Sequence, residues 1–469
     1  MKKIILSLIL IMGINYAFAE REYFVEKYGA KNDGKTVNTS FIQKAIDECS
    51  AAGGGKVVLS YGIYMSGTIN LKDNVSLEVR RGAILRGTTD PRDYYNIDAF
   101  VDATGQSRGE CLVGAVDAKN VGICGTGVID GVGDNFKANL TRQRLIDWGA
   151  SAEQIKKLSI VRPFLVRIVR CQDVKLNEIT MINPAAWTCH LYQSKKIYID
   201  GVYIRAKVNK NNDGIDLDSC DGAIIKNCDI DTDDDAMCFK TTSPIPCQNV
   251  VVSSCRLKSR WGAIKFGTES MGDFKNIKVS NCYVYDTKGG GLKVLSMDGA
   301  NIDNVRVSKI TMDNVDMPIF VRLGERLRTY RNAEKRPAGS INNLFITGIT
   351  ATQAKIEDSR VMPPSGIIIS GTPSAKIDKL FLQGIDITLP GGGLKEHSSI
   401  IVDEQIDKYP EFTLFGLQPA YGLNARHIDS LLMKNITIHV TGPEERELMK
   451  ISDVSSIPLE FPALINKAK

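Results

Sequence analysis

Ala223-Ile224-Ile225-Lys226-Asn227-Cys228, Val250-Val251-Val252-Ser253-Ser254-Cys255 and Ile277-Lys278-Val279-Ser280-Asn281-Cys282 repeat one unit. In each, a short run with apolar residues at alternate positions leads into a polar corner, and a cysteine follows. Alternation of this kind marks a strand with one face buried. The unit extends outward in both directions. Val174–Ile179 and Ile197–Val202 precede it, and Val305–Ile310, Leu344–Ile349, Leu380–Ile385 and Leu431–Ile436 follow. The closing positions Val202, Cys228, Cys255, Cys282 and Ile310 are separated by 26, 27, 27 and 28 residues. Such a recurrence, with short strands and no helical periodicity, defines a β-solenoid. The chain therefore reads as all-β, a single-stranded right-handed parallel β-helix. One coil cannot bury its interior alone, so stacking at ~4.8 Å per coil completes both the strand pairing and the core. After Ile310 the spacings lengthen to 39, 36 and 51 residues, which requires longer loops on those coils. There are eleven cysteines. Their odd number, and the place of Cys228, Cys255 and Cys282 inside the repeat, fit a stacked interior ladder better than a disulfide framework. A buried thiol packs as a small hydrophobe.

Ahead of the repeat, Thr39–Ala51 has helical spacing, with Phe41, Ile42, Ala45, Ile46 and Cys49 on one face. Gly53-Gly54-Gly55 stops it. This helix is expected to cap the first coil and cover an open sheet edge. Strands are expected at Val57–Leu59, Val75–Val79 and Val121–Ile123, and Asn135–Leu158 reads as a surface insertion, a loop or short helix. No linker or low-complexity stretch marks a boundary, so residues 20–469 are expected to form one domain. Residues 1–19 read as a secretory signal peptide: Lys2 and Lys3, then apolar Ile4–Met12 broken by Ser7, then Ala17-Phe18-Ala19. The apolar run is too short to span a bilayer. The expectation is an exported protein, periplasmic or extracellular, monomeric, with no membrane partner. The net charge is +5, or +3 once Lys2 and Lys3 are left out. So small a surplus argues against nucleic acid as the main partner and allows a local basic patch for an acidic ligand.

Two acidic clusters interrupt the repeat: Asn211-Asn212-Asp213-Gly214-Ile215-Asp216, and Asp231-Thr232-Asp233-Asp234-Asp235 running on to Lys240. Asp213 and Asp235 are 22 residues apart, about one coil, which puts them on one wall of adjacent coils. Counting on, the ladder position passes through Gly262, Gly291 and Phe320. Carboxylates crowded in one groove cannot all ionise freely, because repulsion raises the pKa of at least one. Glycoside hydrolysis needs such a set, one carboxylic acid to protonate the leaving oxygen and one carboxylate to activate water. Spacing alone serves equally a calcium site or Asx-turns at strand ends.

These motifs resemble those of the polygalacturonase family, glycoside hydrolase family 28. Tyr28-Gly29-Ala30-Lys31-Asn32-Asp33-Gly34, Ala45-Ile46 and Gly53-Gly54-Gly55-Lys56-Val57-Val58 look like the opening of that family and of related pectate-lyase-like β-helices. Residues 211–216 resemble its Asn-Thr-Asp-Gly-Ile-Asp motif, and Asp234-Asp235 followed by Lys240 resembles its paired aspartates. The resemblance covers most of the chain after residue 19. It implies Asp234 as general acid, Asp213 and Asp235 as holders and activators of the attacking water, inversion at the anomeric carbon, and neither metal nor other cofactor. Where the family has Gly-His-Gly, this chain has Gly262-Ala263 and no histidine from Trp261 through Glu269. Where the family has Arg-x-Lys, it has Gly291-Leu292-Lys293. The two glycines are expected to leave room for a bulkier or branched sugar, held by Lys293 with help from Lys265 or Arg322. Glu269 and Arg326 are further polar residues near the groove, each also readable as a solvated charge. Lys240, Trp187 and His190, the last one coil before Asp213, complete the candidate substrate contacts. His397, His427 and His439 lack metal-ligand spacing, and Gly289-Gly290-Gly291 lacks the lysine spacing and helix of a nucleotide loop. The expected function is an exported inverting glycoside hydrolase with altered subsite specificity, acting on pectic or other acidic plant polysaccharides or oligosaccharides. The alternatives are a calcium-dependent β-elimination lyase using Lys265 or Lys293 as proton acceptor, or a non-catalytic sugar-binding β-helix.

Overall fold

The fold was analysed in a computed structural model, which describes residues 21–353, 355–457 and 464–468. Residues 1–19, read above as a signal peptide, lie outside the described residues. Parallel pairing passes from coil to coil in register, as in Ala223↔Val250↔Ile277↔Val305↔Leu344↔Leu380↔Leu431. The chain is thus a parallel β-helix. A typical coil contributes short strands such as Lys195–Asp200, Tyr203–Ala206 and Ile215–Asp218. Alternation sorts the side chains: Val250 and Val252 are fully buried, while Val251 between them is 41% exposed.

The corner between strands explains why cysteine recurs. Asn227, Ser254 and Asn281 have φ of +56°, +56° and +54°, and asparagine is among the side chains that best tolerate that left-handed conformation. The next residue turns inward, where a small side chain fits. Cys228, Cys255 and Cys282 stack there as buried free thiols. Each Sγ donates to the carbonyl two residues back, at 3.3, 3.3 and 3.4 Å. At another corner the asparagine amides form their own ladder: Asn304 donates to Asn276 at 2.9 Å, and Asn276 to Asn249 at 3.2 Å.

The helix over Thr39–Ala51 forms as expected, burying Ile42, Ala45, Ile46 and Cys49 against the first coils. Its stop is steric as well as conformational. Gly54 has φ +118°, and a Cβ there would meet the Asn74 carbonyl oxygen at 2.5 Å. The early strands span Gly55–Leu59, Val75–Val79 and Lys119–Cys124. The insertion at Asn135–Leu158 contains two helices, Ala138–Asp147 and Ala152–Leu158, the second opened by a Ser151/Gln154 capping box. Three excursions fold back over one face: the antiparallel hairpin Asn96–Val101/Ser107–Val116, residues 324–339, and residues 390–419. No helix among the described residues is long and apolar enough to cross a membrane.

Candidate active site

Strands Cys189–Tyr192, Ile215–Asp218, Met237–Thr241, Ile264–Ser270 and Leu292–Ser296 form one wall, in the register Cys189↔Ile215↔Met237↔Ile264↔Leu292. One position further on lies the polar ladder His190, Asp216, Cys238, Lys265, Lys293. Just before the strands, Gly214 N donates to Asp235 O, Ala236 N to Gly262 O, Ala263 N to Gly290 O and Gly291 N to Met317 O. The ladder is therefore Asp213, Asp235, Gly262, Gly290, Met317. The expected continuation through Gly291 and Phe320 is corrected: equal 29-residue coils were assumed, and the real coils are shorter. Phe320 pairs instead with Lys293.

Asp213 is presented by a loop that Asn212 clamps. The buried Asn212 amide accepts from Val208 N and Asn209 N at 2.9 and 2.8 Å and donates to the carbonyls of Pro184 and Ala186 at 3.0 Å each. Asn211, at φ +54°, reaches the Asp234 carboxylate with its amide at 3.5 Å and accepts from Arg108 at 3.1 Å. Asp234 and Asp235 follow on the next coil. Asp235 N donates to Asp234 Oδ1 at 2.9 Å, and Ser259 Oγ donates to the Asp234 carbonyl at 2.6 Å. One oxygen from each of Asp213, Asp234 and Asp235 lies within 4.8 Å of the others. Asp233 stays outside this group, 3.7 Å from Arg260.

Two lysines divide the trio electrically. Lys265 Nζ is 2.7 Å from Asp235 Oδ2, and Gly262 N donates to Asp235 Oδ1 at 3.1 Å. Burial works to raise the Asp235 pKa, but the ammonium groups of Lys265, Lys293 and Lys240 overcome it and hold the carboxyl below its ordinary value. Asp234 lacks such a partner. Burial first, then repulsion from Asp235, push it up to about 6. Lys240 Nζ lies 3.1 Å from Asp213 Oδ2, 3.4 Å from Asp216 Oδ1 and 3.8 Å from Glu269 Oε2, above the Trp187 ring at 4.0 Å. The Asp216 contact is a charge contact without hydrogen-bond geometry, since neither Asp216 oxygen has a hydrogen-bond partner among the described residues. Burial raises Asp216 to about 7 and Asp213 well above its ordinary value. Asp213 Oδ1 is likewise unpaired. A cavity of about 30 Å³ lies between Asp213, Asp234, Asp235, Lys240, Lys265 and Glu269, under Ala103 and Tyr409, a volume near one water's share of the liquid.

The other candidates are placed as follows. His190 is fully buried, ringed by Phe100, Phe164, Trp187 and Tyr192, 3.3 Å from Asp218 and hydrogen-bonded to Arg167. Burial lowers its pKa to about 4, so it is neutral and outside the groove. Arg322 is also fully buried, its guanidinium donating to Ser370 Oγ and to the carbonyls of Gly371 and Glu404, each at 2.7 Å. It ties loops together and cannot hold a sugar. Arg326 is spent on Asp298 at 2.9 Å. Glu269 faces the cavity and accepts from Ala103 N at 3.1 Å. Lys293, fully buried, is gripped by both oxygens of Glu411 at 2.6 Å each, and Trp261 Nε1 donates to the same carboxylate at 3.0 Å.

The expected space at the glycines is absent. A Cβ on Gly262 would meet Asp235 Oδ1 at 2.8 Å, and one on Gly291 would meet Met312 Sδ at 2.6 Å. The Lys293 stem and the 390–419 excursion fill the volume instead. Sequence reading missed Glu411, Tyr409, Asp102 and Arg108, because all four sit on loops outside the periodic strands. The only available signal was the long spacing before Ile436.

A parallel β-helix with a water-sized cavity among three oppositely tuned carboxylates is a solenoid built for acid–base work. The chain belongs to glycosyl hydrolases family 28, whose sequence model matches residues 60–399. An exo-poly-alpha-D-galacturonosidase of Dickeya chrysanthemi is 28% identical over 250 residues, 46% of this chain and 41% of that protein. An endo-polygalacturonase of Pectobacterium carotovorum subsp. carotovorum is 30% identical over 226 residues, 45% of this chain and 52% of that protein. The chain thus spans about half the length of the curated relatives it matches. Among solved structures, the family 28 exopolygalacturonase of Yersinia enterocolitica superposes with a TM-score of 0.71 at 19% identity, covering 93% of this chain and 78% of that one. At that identity the likeness speaks for the fold.

Proposed function

We propose that this chain is an exported, single-domain glycoside hydrolase that cleaves pectic or other acidic plant polysaccharides or oligosaccharides with inversion. The observation that carries the reading is the opposite tuning of adjacent carboxyls, Asp234 raised and Asp235 lowered. Environments that push two neighbouring carboxyls apart assign the acid and the base. Asp234 gives its proton to the glycosidic oxygen as the bond to the anomeric carbon breaks. A water held by Asp213 and Asp235 attacks that carbon from the other face and loses a proton to Asp235. The matched relatives named for galacturonan cleavage support an acidic substrate.

The test is the product from a defined acidic oligosaccharide. A new reducing end without unsaturation, released first as the inverted anomer by NMR, is the expected result. An unsaturated uronide would assign the lyase class, and binding without product would assign the non-catalytic one.

Activity is also expected to survive exhaustive chelation. Lys240 and Lys265 already bring positive charge to within 3.1 and 2.7 Å of Asp213 and Asp235, where a bound cation would otherwise balance them. Loss of turnover in EDTA with rescue by calcium would contradict this.

A further inference from the structure

The cations around the trio are of two kinds. Lys240, Lys265 and Lys293 face carboxylates, and Arg108 Nε is 2.8 Å from Asp102. Arg162 differs. Its Nη1 donates to the Lys210 carbonyl at 2.6 Å, and its Nη2 donates to Asn211 Oδ1 at 2.9 Å and to the Gln106 amide oxygen. Every one of these partners is neutral, so the guanidinium has no counter-ion among the described residues. Burial, with repulsion from Arg108, lowers its pKa to about 10, which leaves it charged at neutral pH. Arg162 lines a cleft of about 1010 Å³ that opens beside Asp234, together with Lys137, Lys207, Lys210 and Asp233. Lys207 is 2.9 Å from Asp231. Lys137 and Lys210 form no ion pair among the described residues.

We propose that this cleft is a subsite for the carboxylate of an acidic sugar and that Arg162 is the residue that reads it. The proposal rests on the reading of Asp234 as the acid, since the cleft adjoins that carboxyl. A half-buried charge ringed by neutral oxygens gains most from an anion, because it has lost water and found no counter-charge. A neutral sugar offers no such gain. The lysine of the shortened Arg-x-Lys motif cannot do this while Glu411 neutralises it, so recognition of the uronate passes to the opposite side of Asp234.

The experiment compares an oligogalacturonide with the same oligosaccharide after reduction of its carboxyl groups to alcohols. Arg162→Gln is expected to raise KM for the acidic form about tenfold, as loss of a charged hydrogen bond does, with kcat within about twofold and no change for the reduced form. Arg162→Lys, which keeps the charge and drops the hydrogen bonds to the loop, should retain the preference for the acidic form. Lys137→Gln with Lys210→Gln should weaken that preference and its salt dependence. Equal losses on both substrates would mean that Arg162 only holds the Asn211 loop and would overturn the proposal, as would no loss on either. Calorimetric binding of the two oligosaccharides in an Asp234→Asn background gives the same comparison without turnover. It therefore separates failure of this subsite from failure of the hydrolase reading.

Discussion

Asp234→Asn is expected to cut kcat by about 10³-fold, within the range that a positioned general acid contributes, while the dissociation constant for an acidic oligosaccharide changes little. The amide keeps the shape of the side chain and has no proton of the right acidity to give. In the unaltered enzyme the acid must be protonated to act. With Asp234 near pKa 6, kcat should fall as pH rises above that value. Stability follows the same group. Its pKa is raised on folding, so its favourable contribution is present at low pH and is lost as pH rises through about 6. The asparagine variant escapes that loss, and its Tm at pH 8 should equal or exceed that of the parent. Retention of more than a tenth of the parent kcat would remove Asp234 from the acid role.

Lys265→Met should be the other severe change, and it acts on the base. Lys265 and Asp235 are both almost fully buried and 2.7 Å apart. Deleting one partner of a buried pair leaves an uncompensated charge and costs about 3–5 kcal/mol. Asp235 is held below its ordinary pKa in the parent, so it supplies stability above the unfolded carboxylate pKa that is lost as pH falls through the folded one. In the variant the sign reverses. Burial and the nearby carboxylates raise Asp235, and the protein should recover stability on acidification as that group takes up a proton. The acidic limb of the kcat profile should move toward neutral pH, and kcat near pH 5 should drop about 100-fold because the base is protonated there. Lys265→Arg should restore part of both effects. An acidic limb that stays where it was would show that Lys265 does not hold the base in its charged form.

What was legible in the sequence is what local chemistry repeats. Alternating apolar positions gave the strands, helical spacing gave Thr39–Ala51 to the residue, and a cysteine after each left-handed corner gave the stack. The Asp213, Asp234 and Asp235 group followed from motif and coil length together. The failures share a cause. His190 sits at the right coil position, yet Arg167 and four aromatic rings enclose it. Gly262 reads as empty space on paper, yet Asp235 needs its N–H and leaves no room for a Cβ. Lys293 reads as a free cation, yet Glu411 arrives from 118 residues away. Each depends on where a non-repeating loop lands, and no periodicity encodes that.

The Glu411 contact also changes how such a molecule can come apart. In an ideal solenoid each coil touches only its neighbours, so unwinding can creep inward from an end one coil at a time. Here the 390–419 excursion reaches back from the coil of Ala420–Val440 to Lys293 and Trp261, and Tyr409 accepts a hydrogen bond from Thr268 Oγ1 at 3.0 Å. Arg331, on residues 324–339, reaches Asp98 on the hairpin at 2.6 Å. These straps bypass the intervening coils and bind the far end of the spool to its middle. Coils between Ile264 and Val440 are thereby fastened into one cooperative block. Fraying that starts at the C-terminal end and frees the excursion also strips Lys293 of its counter-charge, so wear at a distant edge is felt at once beside the acid–base pair.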